Sequence, residues 1–316
     1  MSPLADVVKG GKRALALALS ELETRPGDPK VTALLDLAFN APRGPAIGLT
    51  GPPGVGKSTL ADALIRAWRA RGLSVGVIAV DPSSRASGGA LLGDRTRITT
   101  DPEDGGVFLR SMAARDRLGG VAAITWPAMV LMRALFDRVL VETVGVGQSE
   151  TAIAGLCDTT ALCAQPGSGD ALQFMKAGVM EVPDLVIVTK ADLEALARRA
   201  VADLKGALSV TSGEAKAPEV LACSALDGRG IDEIVTALAR LEPAGHRSHR
   251  HRAQAAAWAQ SAIMEAFGHA GVAALARQSA DPSQPFAAMS ALRLRLDAAV
   301  AQALQDLDGT GLARDA

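Results

Sequence analysis

Short apolar runs alternate with amphipathic stretches through the middle of the chain, between residues 43 and 243. Most of the runs are continuously apolar, which is typical of parallel strands that are covered on both faces. The stretches between them carry apolar residues at every third or fourth position, which is the spacing of a helix. This order predicts an α/β fold with a doubly wound, mostly parallel sheet, in which ligands bind at the carboxyl ends of the strands. The predicted strands are residues 45–50, 74–80, 107–110, 138–142, 159–164, 184–189 and 219–223.

Both ends of the chain carry a helical pattern. Residues 1–42 look helical and carry leucines on either side of a Pro-Gly-Asp-Pro break, and residues 253–316 are alanine-rich with a break at 281–285. The last helix has an apolar stripe, which favours packing in a core and, as a second interpretation, a dimer contact. The stripe consists of Met289, Leu292, Leu296, Ala299 and Ala303.

A basic, histidine-rich segment, residues 244–252, precedes these last helices. We interpret it as a solvated linker, and a metal-binding tract is the alternative. The pattern therefore predicts three parts of the chain. They are a helical N-terminal extension (1–42), a phosphate-loop nucleotide-binding domain of the P-loop class (43–243), and a linker with a helical, dimer-forming C-terminal extension (244–316).

The most specific motif is a complete G-x-x-x-x-G-K-[ST] phosphate-binding loop that directly follows the first predicted strand. Apolar residues at helical spacing follow the loop, so it has the strand and the helix that this motif requires. Its glycines let backbone N–H groups and the helix N-terminus face a phosphate. Lys57 is predicted to reach the β- and γ-phosphates, and Ser58 to ligate Mg²⁺. The predicted nucleotide-binding residues are Gly51, Pro52, Pro53, Gly54, Val55, Gly56, Lys57, Ser58 and Thr59.

Acidic residues follow other predicted strands. Asp81 ends the second strand and is well placed to act on Mg²⁺ or its waters. Asp94 follows a glycine-rich stretch that suits a nucleotide-dependent switch. Glu142 and Gly145 occupy an acid-x-x-Gly pattern after the fourth strand, in which the acid reaches toward Mg²⁺ and the glycine N–H toward the γ-phosphate. Gln148 is a candidate for orienting the attacking water, and a non-catalytic switch role is equally open.

A candidate for reading the base follows the sixth strand. Thr189, Lys190 and Asp192 resemble the Asn/Thr-Lys-x-Asp element with which GTPases read guanine. A carboxylate accepts two hydrogen bonds from the guanine edge, whereas adenine would leave it unpaired. The backbone after the seventh strand is predicted to support the base, through Ser224, Ala225 and Leu226.

Composition narrows the function classes. The net charge of −1 argues against an extended nucleic-acid surface, and 3% aromatic residues argue against stacking platforms for single strands. Cys157, Cys163 and Cys223 follow no close metal-ligand spacing, so we expect small buried thiols in a reducing compartment. We find no signal-peptide pattern and no apolar run of about 18 residues, so we expect a cytoplasmic protein without a membrane partner.

Several longer segments resemble the MeaB/ArgK-type GTPases, which escort adenosylcobalamin-dependent acyl-CoA mutases. The most diagnostic is Glu-Thr-Val-Gly-Val-Gly-Gln-Ser-Glu at 142–150. The resemblance spans roughly residues 10–245. The other segments that carry it are Asp-Pro-Ser-Ser at 81–84, Ser-Gly-Gly-Ala-Leu-Leu-Gly-Asp-Arg at 87–95, Arg-Ser-Met-Ala at 110–113 and Pro-Gly-Ser-Gly-Asp at 166–170.

The resemblance implies a dimeric G domain that binds GTP and Mg²⁺, gates adenosylcobalamin loading, and protects a partner acyl-CoA mutase, methylmalonyl-CoA mutase or a related one. An adenosyltransferase is a further implied partner. By motif, the metal would lie among Ser58, Asp81, Asp94 and Glu142. The implied catalytic residues are Lys57, Asp94, Glu142 and Gln148. Residues 166–178 resemble a third switch that couples nucleotide to mutase, with Asp170, Gln173 and Lys176 as its polar residues.

The chain departs from the family pattern at Arg85, Asp116, Ala171, Phe174 and Thr189. The first four lie in or near regulatory segments, which leaves another acyl-CoA mutase open as the partner. The sequence also leaves a nickel-insertion GTPase, a P-loop kinase and a nucleotide-binding scaffold without catalysis as alternatives. We expect a GTPase that hydrolyses GTP slowly alone and that a partner stimulates.

Overall fold

The computed structural model describes residues 2–81, 101, 103–113, 124–143, 153–167, 183–211, 217–241, 247–278 and 281–309. The chain divides into two compact units. One unit is Pro42–His251, and the other combines Met1–Ala41 with Arg252–Ala316.

A seven-stranded sheet forms the centre of the Pro42–His251 unit, in the order β3-β2-β4-β1-β5-β6-β7. Every pairing between neighbouring strands is parallel. The predicted doubly wound parallel sheet is therefore confirmed. The strands are β1 (Ala46–Thr50), β2 (Val75–Asp81), β3 (Val107–Ala113), β4 (Arg138–Thr143), β5 (Thr159–Ala164), β6 (Leu185–Val188) and β7 (Glu219–Ala222).

Eight helices lie in the described part of the chain, in both units. They are α1 (Pro3–Thr24), α2 (Pro29–Asn40), α3 (Lys57–Ala70), α4 (Thr125–Leu135), α5 (Glu194–Thr211), α6 (Ile231–Arg240), α7 (Arg247–Ala276) and α8 (Pro285–Gly309). None of the helices in these residues is long and apolar enough to cross a bilayer.

Helices α3 and α6 pack on the sheet through one apolar cluster. Leu60, Leu64 and Trp68 of α3 are at most 1% exposed, as are Ile234 and Leu238 of α6. Each large apolar side chain buried in this way contributes roughly 1.5–3 kcal/mol. The cluster therefore fixes the start of α3, and with it the phosphate loop, against the carboxyl edge of the sheet.

The unit that contains both chain ends is helical, and polar side chains cap its helices. Ser2 accepts a hydrogen bond from the N–H of Ala5, and Asp28 accepts one from Lys30 at 2.8 Å. Asp36 on α2 accepts hydrogen bonds from Phe286 and Ala287 at 2.9 and 3.0 Å, so it caps α8 from a neighbouring helix.

The first residues of the apolar stripe of α8 lie in a hydrophobic core. Met289 and Leu292 are buried and pack with Ile263 of α7, and Leu296 is partly buried beside them. Ala299 is exposed. The first half of the stripe therefore packs inside this unit, as the predicted core interpretation requires.

Residues 247–252 of the predicted linker are helical, because α7 begins at Arg247, and the prediction of a solvated side chain is wrong at His251. His251 is only 5% exposed, and its ring centroid lies 6.4 Å from that of Trp126. Burial, assisted by the positive charge of Arg133, lowers the pKa of His251 to about 3. Arg250 lies 3.6 Å from Asp184 at the amino end of β6. Arg250 and His251 thus contact other residues of the Pro42–His251 unit, to which they belong.

Candidate nucleotide-binding site

The phosphate loop lies between β1 and α3 and takes its shape from three glycines. Gly51, Gly54 and Gly56 have φ values of 137°, 73° and 100°, which side chains rarely allow. A Cβ atom on Gly51 would lie 2.4 Å from the carbonyl oxygen of Cys163. Val55 has no exposed surface and belongs to the apolar core, so it anchors the loop from below.

Lys57 begins α3 and its ammonium group lies across the loop. Its Nζ donates to the carbonyl oxygens of Gly51 at 2.7 Å and Pro52 at 3.0 Å, and the residue is 6% exposed. The positive charge is thus held beside the loop's backbone N–H groups, where it can compensate a phosphate. Thr59 lies exposed in the first turn of α3.

Ser58, next to the phosphate loop, pairs with Glu142 of β4. The Ser58 hydroxyl donates to Oε1 of Glu142 at 2.7 Å. Glu142 is buried near the end of β4, directly beside Leu49 of β1 in the sheet register. Hydroxyl and carboxylate oxygens are hard ligands of the kind that Mg²⁺ prefers, so the donor set fits this ion.

Thr189 connects the predicted base-reading element to the phosphate loop. The residue is 5% exposed, and its hydroxyl lies 2.6 Å from the carbonyl oxygen of Val55 and 3.1 Å from that of Ala164. A hydroxyl has one proton to donate. The shorter contact, to Val55, therefore fixes the end of β6 against the loop.

Lys190 makes a second connection. Its Nζ donates to the carbonyl of Gly54 at 3.0 Å and to Oε1 of Gln165 at 2.6 Å. Its φ of 53° is the only positive φ of a non-glycine residue in the described part of the chain, and such outliers concentrate at functional sites. Sequence reasoning missed Gln165, although it directly follows β5 at the carboxyl edge of the sheet.

The remaining residues that are predicted to read the base lie at the same edge of the sheet. Asp192 is exposed, Ser224 is fully buried, and Leu226 is 82% exposed at the tip of its turn. The N–H of Ala191 donates to the carbonyl of Cys223 at 2.9 Å, which joins the segments after β6 and β7. The structure thus brings residues 189–192 and 224–226 together beside the phosphate loop, with Ala225 half-buried between its neighbours.

Other predicted site residues lie outside the described residues. They are Asp94, Gly145, Gln148, Asp170, Gln173 and Lys176, together with the side chain of Asp81. The backbone of Asp81 ends β2, opposite Ala113 of β3. Asp81 therefore stands at the same edge of the sheet as Glu142.

The three cysteines are buried, free thiols, as predicted. Burial raises the pKa of Cys163 to about 12 and that of Cys223 to about 12, and it raises the pKa of Cys157 as well. All three stay protonated at neutral pH. In the residues that the structure describes, no group of three or more His, Cys, Asp or Glu side chains is arranged to hold a metal ion.

The family model and the similar sequences reported below are all described as GTPases. Residues 13–275 match a family model described as methylmalonyl Co-A mutase-associated GTPase MeaB. The sequence is 46% identical over 201 residues to a putative GTPase of Pyrococcus horikoshii, a match that covers 61% of this chain and 62% of that relative. It is 40% identical over 238 residues to the GTPase ArgK of Escherichia coli, covering 72% of this chain and 71% of ArgK. A crystal structure described as an LAO/AO transport system kinase superimposes with a TM-score of 0.65 at 27% identity, covering 99% of this chain and 92% of the other.

Proposed function

Because the chain belongs to the MeaB family of methylmalonyl-CoA mutase-associated GTPases, we propose that it binds and hydrolyses GTP to control the loading of adenosylcobalamin into a partner acyl-CoA mutase and to protect that mutase. The partner is methylmalonyl-CoA mutase or a related mutase. An adenosyltransferase is a candidate source of the cofactor.

The observation that carries this proposal is the contact between the phosphate loop and the Thr-Lys-x-Asp element. Thr189 and Lys190 donate hydrogen bonds to the carbonyls of Val55 and Gly54, at 2.6 and 3.0 Å. A nucleotide whose phosphates lie in the loop therefore has its base directed toward residues 189–192. The exposed carboxylate of Asp192 can then accept two hydrogen bonds from guanine, which adenine cannot donate.

Each residue has a distinct proposed role in hydrolysis. Lys57 stabilises the β- and γ-phosphates, and the loop's N–H groups hold the remaining phosphate oxygens. Ser58 and Glu142 would hold Mg²⁺, with Asp81 and Asp94 as further members of its shell. The ion, when bound, neutralises the charge that develops on the transferred phosphoryl group. Water, which Gln148 is proposed to orient, attacks the γ-phosphorus in line while the bond from that phosphorus to the bridging oxygen of the β-phosphate breaks. GDP leaves, and the proton of the water goes to the released phosphate.

We assign dimer formation and coupling to the mutase to the terminal helices and to residues 166–178. The extensions 1–42 and 244–316 flank the nucleotide-binding region, residues 43–243, and we propose that the C-terminal one joins two copies into a homodimer. Asp170, Gln173 and Lys176 in the third switch couple nucleotide hydrolysis to the mutase.

Phosphate release by the purified full-length protein tests the enzymatic part. We expect slow release from GTP with Mg²⁺, at least about tenfold less from ATP, and none above background with Lys57→Ala. Lys57 begins α3 and, in this proposal, holds phosphate charge, so we expect the variant to fold, with an unfolding temperature close to that of the parent. Equal hydrolysis by Lys57→Ala would contradict the site. Transfer of the phosphate to an added acceptor, with no release to water, would indicate a kinase instead.

The mutase part needs a separate measurement. Methylmalonyl-CoA mutase from the same organism is mixed with the protein, and GTP hydrolysis and adenosylcobalamin uptake by the apo-mutase are followed with GTP or a non-hydrolysable analogue. We expect faster hydrolysis in the mixture and cofactor uptake that depends on which nucleotide is present. No effect in either direction, with this mutase and with other acyl-CoA mutases of the organism, would contradict the chaperone role.

A further inference from the structure

Arg229 is an exposed cation that contacts the turn after β7 and the first turn of α5, next to the two segments proposed to hold the guanine base. One segment, residues 189–192, follows β6, and the other, residues 224–228, follows β7. The N–H of Ala191 donates to the carbonyl of Cys223, so the two segments are hydrogen-bonded where they leave the sheet. Arg229 lies further out, in the turn between β7 and α6.

The turn after β7 closes on Arg229. The carbonyl of Arg229 accepts from the N–H of Ser224 at 2.9 Å, and its own N–H donates to Oδ1 of Asp227 at 3.1 Å. Its Nε donates to Oδ2 of the same carboxylate at 2.8 Å. The N–H of Arg229, and then its guanidinium, lower the pKa of Asp227, so this carboxylate is charged at neutral pH.

The same guanidinium also reaches the helix that follows the other segment. Its Nη1 donates to Oε1 of Glu194 at 3.1 Å. Glu194 is in the first turn of α5, two residues after Asp192. One planar side chain with several fixed donors therefore bridges the turn 224–228 and the start of α5, which directly follows residues 189–192, and a lysine has no comparable fork.

We infer that Arg229 is a positioning residue for the purine base, acting through Asp227 and Glu194. It holds the turn 224–228, with the exposed Leu226 at its tip, at a fixed separation from Asp192, so that a flat base fits between the two segments. The inference rests on the proposed guanine-nucleotide function. Without the bridge, only a fraction of the molecules presents the complete base site, and the apparent Kd rises by the inverse of that fraction.

The test compares Arg229→Ala with the parent in nucleotide binding and hydrolysis. We expect the Kd for GDP and the KM for GTP each to rise by about threefold to tenfold, while kcat stays at the parent value because the phosphate loop is untouched. Arg229→Lys should recover part of the loss. If Arg229 acts through Glu194, adding Glu194→Gln to Arg229→Ala should cause no further loss, although Glu194→Gln alone weakens binding.

Arg240→Ala is the matched control. Arg240 also makes an exposed ion pair, to Glu219 at 2.9 Å, but at the amino end of β7. We expect this variant to bind GDP as the parent does. A parent-like Kd and KM in Arg229→Ala, or an equal loss in Arg240→Ala, would overturn the inference.

The Asp192→Asn variant separates this inference from the function on which it rests. If Asp192→Asn shifts preference from GTP to xanthosine triphosphate while Arg229→Ala binds like the parent, guanine recognition stands and the positioning role is wrong. If Asp192→Asn leaves the preference for GTP unchanged, the base site lies elsewhere, and both proposals fail.

Discussion

Thr189 joins the two halves of the proposed nucleotide site through a single hydroxyl group. The hydroxyl is buried and lies 2.6 Å from the carbonyl of Val55, itself a buried residue of the phosphate loop. A buried carbonyl that loses its donor costs about 1–3 kcal/mol. The sequence motif alone presents Thr189 as a departure from the usual asparagine. The structure gives it a contact that a residue type without a donor could not make.

Thr189→Val therefore removes the donor at nearly constant shape. We expect the free energy of unfolding to fall by about 1–3 kcal/mol. The affinity for GDP should weaken as well, because the phosphate loop loses its hydrogen bond to the predicted base-reading residues 189–192. Denaturant unfolding and calorimetric titration measure the two effects. Thr189→Ser keeps the hydroxyl and serves as the control. A valine variant with parent stability and parent affinity would show that this hydrogen bond has no role in the site.

The elements of the α/β unit follow from the apolar pattern to within a few residues. The strands were predictable because long apolar runs between helices leave few alternatives. β3 ends at Ala113 and is therefore longer than predicted, since the predicted strand ended at residue 110. Arg110 and Ser111 are polar, but they pair with β2 and are half-buried because β3 is an edge strand of the sheet. The start of α7 was not predictable, because its histidines and arginines resemble a linker in composition, and only tertiary contacts bury His251.

His251 makes the start of α7 sensitive to pH. Its pKa is about 3 in the folded chain, against about 6.5 in an unfolded one. Between these values the unfolded chain binds more protons, so stability is complete above about pH 6.5 and falls as the pH drops toward 3. We expect His251 alone to lower the free energy of unfolding by about 2 kcal/mol between about pH 7 and pH 5.

Denaturant unfolding of the parent and of His251→Phe at these two pH values isolates this contribution. Phenylalanine keeps a ring near Trp126 and does not titrate. The variant should lose less stability than the parent on acidification, by about 2 kcal/mol. An identical pH dependence in the two proteins would show that His251 is not held neutral by burial.

The whole molecule combines an α/β unit with a unit of terminal helices, and the comparisons agree with its assignment as a GTPase of the MeaB family. The positions of the phosphate loop, of Glu142 and of residues 189–192 were predictable, because each belongs to a short motif at the end of a strand. The contacts of Lys190 with Gln165, and of Arg229 with Glu194, were not, because they join residues 25 and 35 positions apart in sequence. Such pairs become neighbours only through the strand order.

Coupling between GTP hydrolysis and the mutase is a proposed property of the whole molecule. Lys176→Ala, in the proposed third switch, should leave the GTP affinity within about threefold of the parent. The same variant should lose most of the mutase-stimulated hydrolysis, because the segment's proposed role is coupling and not binding. Phosphate release with and without the mutase measures this. Equal stimulation of variant and parent would exclude a coupling role for Lys176.

The central claim is that residues 189–192 read a guanine base above the phosphate loop, and the nucleotide preference of Asp192→Asn tests it most directly. Calorimetric titration of parent and variant with GTP and xanthosine triphosphate gives four affinities. We predict that the variant binds GTP at least about tenfold more weakly than the parent, because hydrogen bonds to a charged group are lost. Xanthosine triphosphate should bind the variant better than GTP does, because its exocyclic oxygen can accept a hydrogen bond from the new amide. Unchanged GTP affinity in the variant would contradict the claim.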